Sequence, residues 1–208
     1  MKILILGATG KTGQQLVIQS LERHYEVTVL VRDPTKLTLV HEKLTLIKGS
    51  VLDKDLLTKT VEGKDAVLSA LGVGKSLRSS NFISNAVSLL ISAMKEKNIK
   101  RLIFMSAFGV GETFTQANLI QKIIFRLPLK NLYADKSKAD EQLRNSKLDW
   151  TLVYPVRLTN NSRTGKYTIG EKLPMKGMPK ISRADVADFM LHQLTDNTFL
   201  KKSPIICS

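Results

Sequence analysis

An aliphatic run, Ile3-Leu4-Ile5-Leu6, ends directly in Gly7-Ala8-Thr9-Gly10-Lys11-Thr12-Gly13. No other stretch restricts the fold as much. A buried strand that stops at a glycine-spaced turn and hands over to a helix opens the doubly wound α/β sheet. Gly7 allows the tight turn, Gly10 lets a pyrophosphate approach the backbone, and Gly13 permits close helix–strand packing. The helix start beyond it offers N–H groups and a partial positive charge to phosphates. Lys11 and Thr12 add a cation and a hydroxyl. The motif therefore predicts a bound dinucleotide. Gly10-Lys11-Thr12 also ends like a triphosphate-binding loop, but that loop needs a glycine about five residues earlier. Ile5 stands there, which argues against ATP or GTP hydrolysis.

The rest of the chain repeats the strand–helix alternation. Strands are expected at Lys2–Leu6, Glu26–Val31, Leu44–Lys48, Asp65–Leu71, Arg101–Met105 and Trp150–Tyr154, with a last short one at Ile205–Ile206. Helices are expected at Lys11–Arg23, Asp53–Thr60, Ser79–Lys97, Tyr133–Asn145 and Ser182–Thr195. Asp53 and Ser182 stand where N-caps belong, and Ser182-Arg183-Ala184-Asp185 has the form of a capping box with Asp for Glu. Asp185 is accordingly read as a capping residue. Nearly continuous aliphatic strands indicate a parallel sheet covered by helices on both faces. The expected fold is a Rossmann-like, doubly wound single domain over residues 1–208. Two segments break the rhythm, 109–130 and 157–180, the second rich in Gly, Asn, Thr and Lys. Both follow strand C-termini, where ligands bind in such sheets, and both are candidate substrate loops.

Thirty-two Lys and Arg against eighteen Asp and Glu give a net charge of +14, which favours anionic partners. The cations are spread along the chain, and only 6% of residues are aromatic, so specific nucleic-acid binding is not expected. An anionic small molecule is. No apolar run reaches the roughly 20 residues of a membrane span. The start of the chain lacks the apolar stretch of a secretory signal. A single cysteine, Cys207, allows no internal disulfide, and a reducing cytoplasm is the expected compartment. The three scattered histidines show no metal-ligand spacing, so no metal site is expected.

An acidic residue about 20 positions after the turn marks NAD sites. Here the second strand ends Leu30-Val31-Arg32-Asp33, with Lys36 close behind. Arg32 stands where the acid belongs, and a guanidinium pairs with a 2′-phosphate. NADP(H) is therefore the expected cofactor.

These motifs, with Tyr25–Leu37, Gly49–Asp53, Asp65–Gly72, Met105–Gly109, Tyr154-Pro155 and Ile181–Ala187 in this order, resemble the atypical short-chain dehydrogenase/reductases with an NAD(P)H-binding fold. Within them the likeness is to the flavin reductase and biliverdin-IXβ reductase branch, over nearly the whole chain. The resemblance implies that Gly7, Thr9, Gly10, Lys11, Thr12 and Gly13 hold the pyrophosphate. It implies that Arg32 and Lys36 take the 2′-phosphate, that Ser50 and Val51 flank adenine, and that Leu71 and Gly72 line a ribose. Ser106 would face the nicotinamide, with Pro155 and Val156 near its carboxamide. Ser50 replaces the usual Asp of the family, and Lys136 and Arg157 replace histidines of the biliverdin reductases.

Typical short-chain dehydrogenases pair Tyr-x-x-x-Lys; here Tyr133 is followed by Ser137 at that distance, and Lys136 falls one short. Tyr133 is thus a poor proton donor, and Ser106 is the catalytic candidate. Arg78, Lys136, Arg157 and Arg163 are candidates for a basic rim facing an anionic substrate. A hydride acceptor that asks little proton transfer of the protein fits best: a flavin, a quinone or a linear tetrapyrrole. The alternative is an NADP(H)-binding redox sensor or regulator, as among NmrA-like relatives. An epimerase is disfavoured by the missing catalytic pair. Monomer and homodimer both remain open, the apolar 109–129 segment offering a subunit contact.

Overall fold

The computed structural model describes residues 1–73, 81–117, 130–174 and 177–208. Its centre is β1 (Lys2–Leu6), which pairs in parallel with β2 (Glu26–Val31) on one side and β4 (Ala66–Ser69) on the other. Outward from β2 lies β3 (Leu44–Lys48); outward from β4 lie β5 (Arg101–Met105) and β6 (Asp149–Pro155). The full order is β3-β2-β1-β4-β5-β6-β10-β8, with β10 at Ile205–Cys207 and β8 at Thr168–Gly170. The chain winds one way from β1 to β3 and then the other way from β4 to β6. The strand order therefore reverses between β1 and β4, and a crevice opens beyond their C-terminal ends.

The strands form where β-branched and aliphatic residues run without interruption. Ile3 to Leu6, Val67, Leu68, Leu102 to Phe104 and Leu152 to Tyr154 are buried to within 1%. Each such aliphatic side chain contributes about 1.5–3 kcal/mol on burial. Trp150 and Phe104 join this core. Helix α1 (Lys11–Glu22) packs on α5 (Arg183–His192), while α2 (Lys54–Val61), α3 (Phe82–Glu96) and α4 (Lys130–Arg144) form the other layer. Asp53 caps α2 by accepting from Leu56 N–H at 3.1 Å, and Ser182 caps α5 by accepting from Asp185 N–H at 2.9 Å. The start of α3 is capped from a distance. The Asp135 carboxylate on α4 accepts the N–H groups of Ile83 and Ser84 at 2.8 and 3.0 Å.

Three features depart from the expected plan. The segment 157–180 carries β7 (Arg157–Thr159) and β8 (Thr168–Gly170) and enters β9 (Lys180–Ser182). β7 and β9 pair in parallel as a separate ribbon, and β8 closes the main sheet antiparallel to β10 (Ile205–Cys207). Strands of three residues are too short to show a period, so composition alone reads them as loop. The described part of helix α4 already runs from Lys130, before the expected Tyr133. Residues 111–116 form a 3-10 turn. Among the described residues no helix is long and apolar enough to cross a membrane.

Candidate functional site

The turn between β1 and α1 is built around two glycines that tolerate nothing larger. Gly7 has φ +80°, and a Cβ there would stand 2.5 Å from the Ala70 carbonyl oxygen on the neighbouring strand's end. A Cβ on Gly13 would collide with the Gly7 carbonyl. Gly10 N–H closes the turn on Gly7 C=O at 3.0 Å. Gly10 is also the N-cap of α1, which has no side-chain cap and no acidic residue in its first turn. The first N–H groups of α1 therefore lack the side-chain partner that caps α2 and α5, which is what an anion site requires.

A cleft of about 650 Å³ opens over this turn, within the range of cofactor sites. Gly7, Thr9, Gly10, Lys11 and Thr12 form its floor, and Arg32, Lys36, Val51, Leu71 and Gly72 line it as expected from the sequence. Gly13 lies beneath the turn. Ser50 sits beside the cleft, where its Oγ accepts from Leu52 N–H at 3.1 Å. The lining also includes Ala8, Val73, Phe82, Met105 and Arg183, none of which the sequence singled out for a ligand.

At the β2 end the electrostatics are one-sided. Asp33, the acid next to Arg32, is occupied locally. It accepts from Thr35 Oγ1 at 2.6 Å and Thr35 N–H at 3.2 Å, and its other oxygen lies 3.4 Å from Lys36 Nζ. The Thr35 hydroxyl, above all, holds its carboxyl below the ordinary value. Arg32 is left exposed, with its guanidinium 5.9 Å from the Phe82 ring centre. A guanidinium resting on an aromatic face and bordering a cleft is suited to a phosphate.

At the end of β5 the polar groups turn inward. Ser106 is 2% exposed and donates its hydroxyl to Asp140 Oδ2 at 2.7 Å. Tyr154 donates to the same oxygen at 2.7 Å and accepts from Arg144 Nη2 at 2.9 Å. Burial pushes the Asp140 carboxyl up despite both hydroxyls, and its Oδ1 has no partner among the described residues. Lys136 is buried too. Its ammonium donates to the Met105 carbonyl at 3.1 Å and lies 5.7 Å from the Phe104 ring, and burial lowers its pKa. Tyr133 donates to the Phe108 carbonyl at 3.3 Å, and burial raises its pKa to about 12.

The remaining candidates are not brought together. Arg157 begins β7 and is exposed. Arg163 faces Gln19, Glu22 and Asp188 at 3.3 to 3.8 Å. Pro155 and Val156 use backbone groups on Phe108 and Ile206 and lie outside the cleft lining. Arg78 and residues 118–129 lie outside the described residues. Among the described residues no cluster of metal-binding side chains occurs.

A parallel sheet with a glycine turn at its point of reversal, under a cleft lined by cations, defines a Rossmann-type nucleotide-binding protein. The model of the NAD(P)H-binding family matches residues 7–197, and the chain belongs to that family. It is 28% identical to YwnB of Bacillus subtilis, over 93% of this chain and 92% of that one. A short-chain dehydrogenase/reductase of Veillonella parvula, solved in complex with NADP, shares the fold with a TM-score of 0.84 at 23% identity, covering 100% of this chain and 94% of that one. ChuY, an anaerobillin reductase from Escherichia coli, shares it with a TM-score of 0.80 at 19% identity, covering 99% and 96%.

Proposed function

We propose that the protein is an NADPH-dependent reductase that passes a hydride to a flavin, a quinone or a linear-tetrapyrrole-like acceptor. One observation carries the cofactor choice. Arg32 borders the cleft without a carboxylate, while Asp33, which a ribose 2′-hydroxyl would need, is spent on Thr35 and Lys36. The glycine cradle, Lys11 and Thr12 suit the pyrophosphate; Arg32 and Lys36 suit the 2′-phosphate; Val51, Leu71 and Gly72 suit the adenosine. The coenzyme, when bound, supplies the hydride. The chain orients it and offers positive charge to its phosphates. Acceptors of this kind take their proton from water, which agrees with a site whose buried hydroxyls are already committed. Segments 109–117 and 157–180 are the proposed walls for the acceptor, and Ser106 with Lys136 would fix the Met105 edge. Support for the reading comes from the family match and from the shared fold of ChuY, an anaerobillin reductase.

The test is calorimetry with NADPH and NADH, then loss of nicotinamide absorbance with FMN, quinones and biliverdins. NADPH should bind at least roughly tenfold more tightly than NADH, and Arg32→Ala should remove most of that difference, Lys36 keeping the rest. Equal affinities in the wild type would overturn the cofactor assignment. Tight binding without turnover would point to the second reading, an NADP(H) sensor. That reading is favoured by the hydroxyls of Ser106 and Tyr133, which both donate to fixed protein acceptors.

A further inference from the structure

We propose that Arg183 is a second anion receptor of the cleft, placed to take a carboxylate or phosphoryl oxygen of a molecule lying over the glycine turn. This rests on the cleft being the coenzyme site. The residue comes from the start of α5, far in sequence from the glycine motif, yet it lines the same cavity as Thr9 to Thr12. Among the described residues the cavity lining contains four cations, Lys11, Arg32, Lys36 and Arg183, and no carboxylate. Most arginines elsewhere in the described structure are spent. Arg23 and Arg163 pair with Asp188, Arg101 holds the Gln193 and Asp149 carbonyls, and Arg144 holds Tyr154. Arg183 instead donates one bond, at 2.7 Å, to the neutral Asn160 Oδ1. Among the described residues it forms no ion pair, so several guanidinium N–H donors stay available.

The segment that carries Asn160 is itself tied to the helix that carries Arg183. Asn160 follows β7, and the same segment is fastened to α5 a few residues on. The Asp185 carboxylate accepts from Thr164 N–H at 2.7 Å, Gly165 N–H at 2.9 Å and Ser182 Oγ at 2.7 Å. The segment carrying the tether and the helix carrying the arginine are thus joined at Asp185, in the same first turn as Arg183. A fork-shaped donor held in place before the ligand arrives loses little entropy on binding and recognises paired oxygens.

Two sources offer that chemistry: the coenzyme's pyrophosphate, or a carboxylate on the acceptor. Arg183→Ala separates them. If the pyrophosphate is the partner, binding of NADPH and NADH weakens by the same factor, roughly tenfold. If the acceptor is the partner, both affinities stay and KM rises for a carboxylate-bearing acceptor such as biliverdin, while KM for a neutral quinone does not move. Arg183→Lys should recover part of the loss, because charge survives and the fork does not. Asn160→Ala should move the same parameter by less. Unchanged coenzyme affinities together with unchanged KM for both acceptors would overturn the proposal. Far-ultraviolet circular dichroism and the melting temperature show that each variant is folded. Should the wild type bind coenzyme without turning over any acceptor, the reductase reading fails while the affinity arm still tests Arg183.

Discussion

Asp140 is a carboxylate carried into the core with one oxygen shared by two hydroxyls and the other without a partner among the described residues. Its pKa in the folded chain is raised, chiefly by burial. The folded state therefore holds this proton to higher pH than the unfolded chain does. Across that window stability falls as pH rises, because ionising Asp140 inside costs more than ionising it in water. Asp140→Asn should lose this slope: urea unfolding at stepped pH should show the variant gaining on the wild type above the ordinary carboxylate range. Asp140→Ala loses the slope too, but should start about 1–3 kcal/mol below the wild type in acid, since Ser106 and Tyr154 would keep buried hydroxyls without an acceptor. A wild type and Asn variant that run parallel with pH would refute the account. The sequence pointed to Ser106 at the end of a strand, but not to where its hydroxyl goes. Asp140 lies 34 residues away and meets Ser106 only once α4 packs against the ends of β5 and β6. Arg183 was hidden for the same reason: a capping motif is a local signal, and the cleft it borders is not. The glycine cradle and Arg32 were legible because one contiguous strand–turn–helix–strand unit carries them.

Among elements, legibility follows how much of each element's stability is local. β1, β2, β5, α1 and α3 announce themselves through their own hydrophobic period. β7, β8 and β9 exist because edges and partners are there to receive them, which no window of sequence contains. Asp185 shows the same division. Its place at the start of α5 is readable, but its hold on residues 164 and 165 is tertiary. Desolvation works to raise its pKa, yet the bonds from Ser182, Thr164 and Gly165 outweigh that, and the net shift is downward. A depressed folded pKa means the stabilisation is fully present above the unfolded value and is lost as pH falls through the folded one, opposite in sign to Asp140. Asp185→Ala should cost about 2–3 kcal/mol near neutral pH and less in acid. Amide exchange should quicken over residues 160–167 before it quickens in the central strands. Uniform acceleration through the whole sheet would show that the segment is not a separately fastened strap.

For the molecule as a whole, the cleft draws on elements from both ends of the chain. It is bordered by the ends of β1, β2 and β5, by the starts of α1 and α3, and by α5 from the far end of the chain. A dinucleotide seated there would tie these parts together and would bind only the folded state. At about a hundred times its dissociation constant a ligand adds about 2.7 kcal/mol of stability. In a domain of 208 residues each kcal/mol moves the melting temperature by about 2–4 °C. Saturating NADPH should therefore raise Tm by about 5–10 °C. NADH at the same concentration should raise it less, because the charge that Arg32 and Lys36 would meet is missing from it. Salt sharpens the distinction. Screening over about 8 Å at physiological ionic strength weakens exposed contacts most, and Arg32 and Lys36 are exposed. Raising the salt should shrink the NADPH shift toward the NADH shift, and Arg32→Ala should narrow the difference at any salt, with Lys36 keeping a remainder. Scanning fluorimetry across a salt series reads all of this at once, and two shifts that differ equally at low and high salt would place the discrimination somewhere other than these two cations.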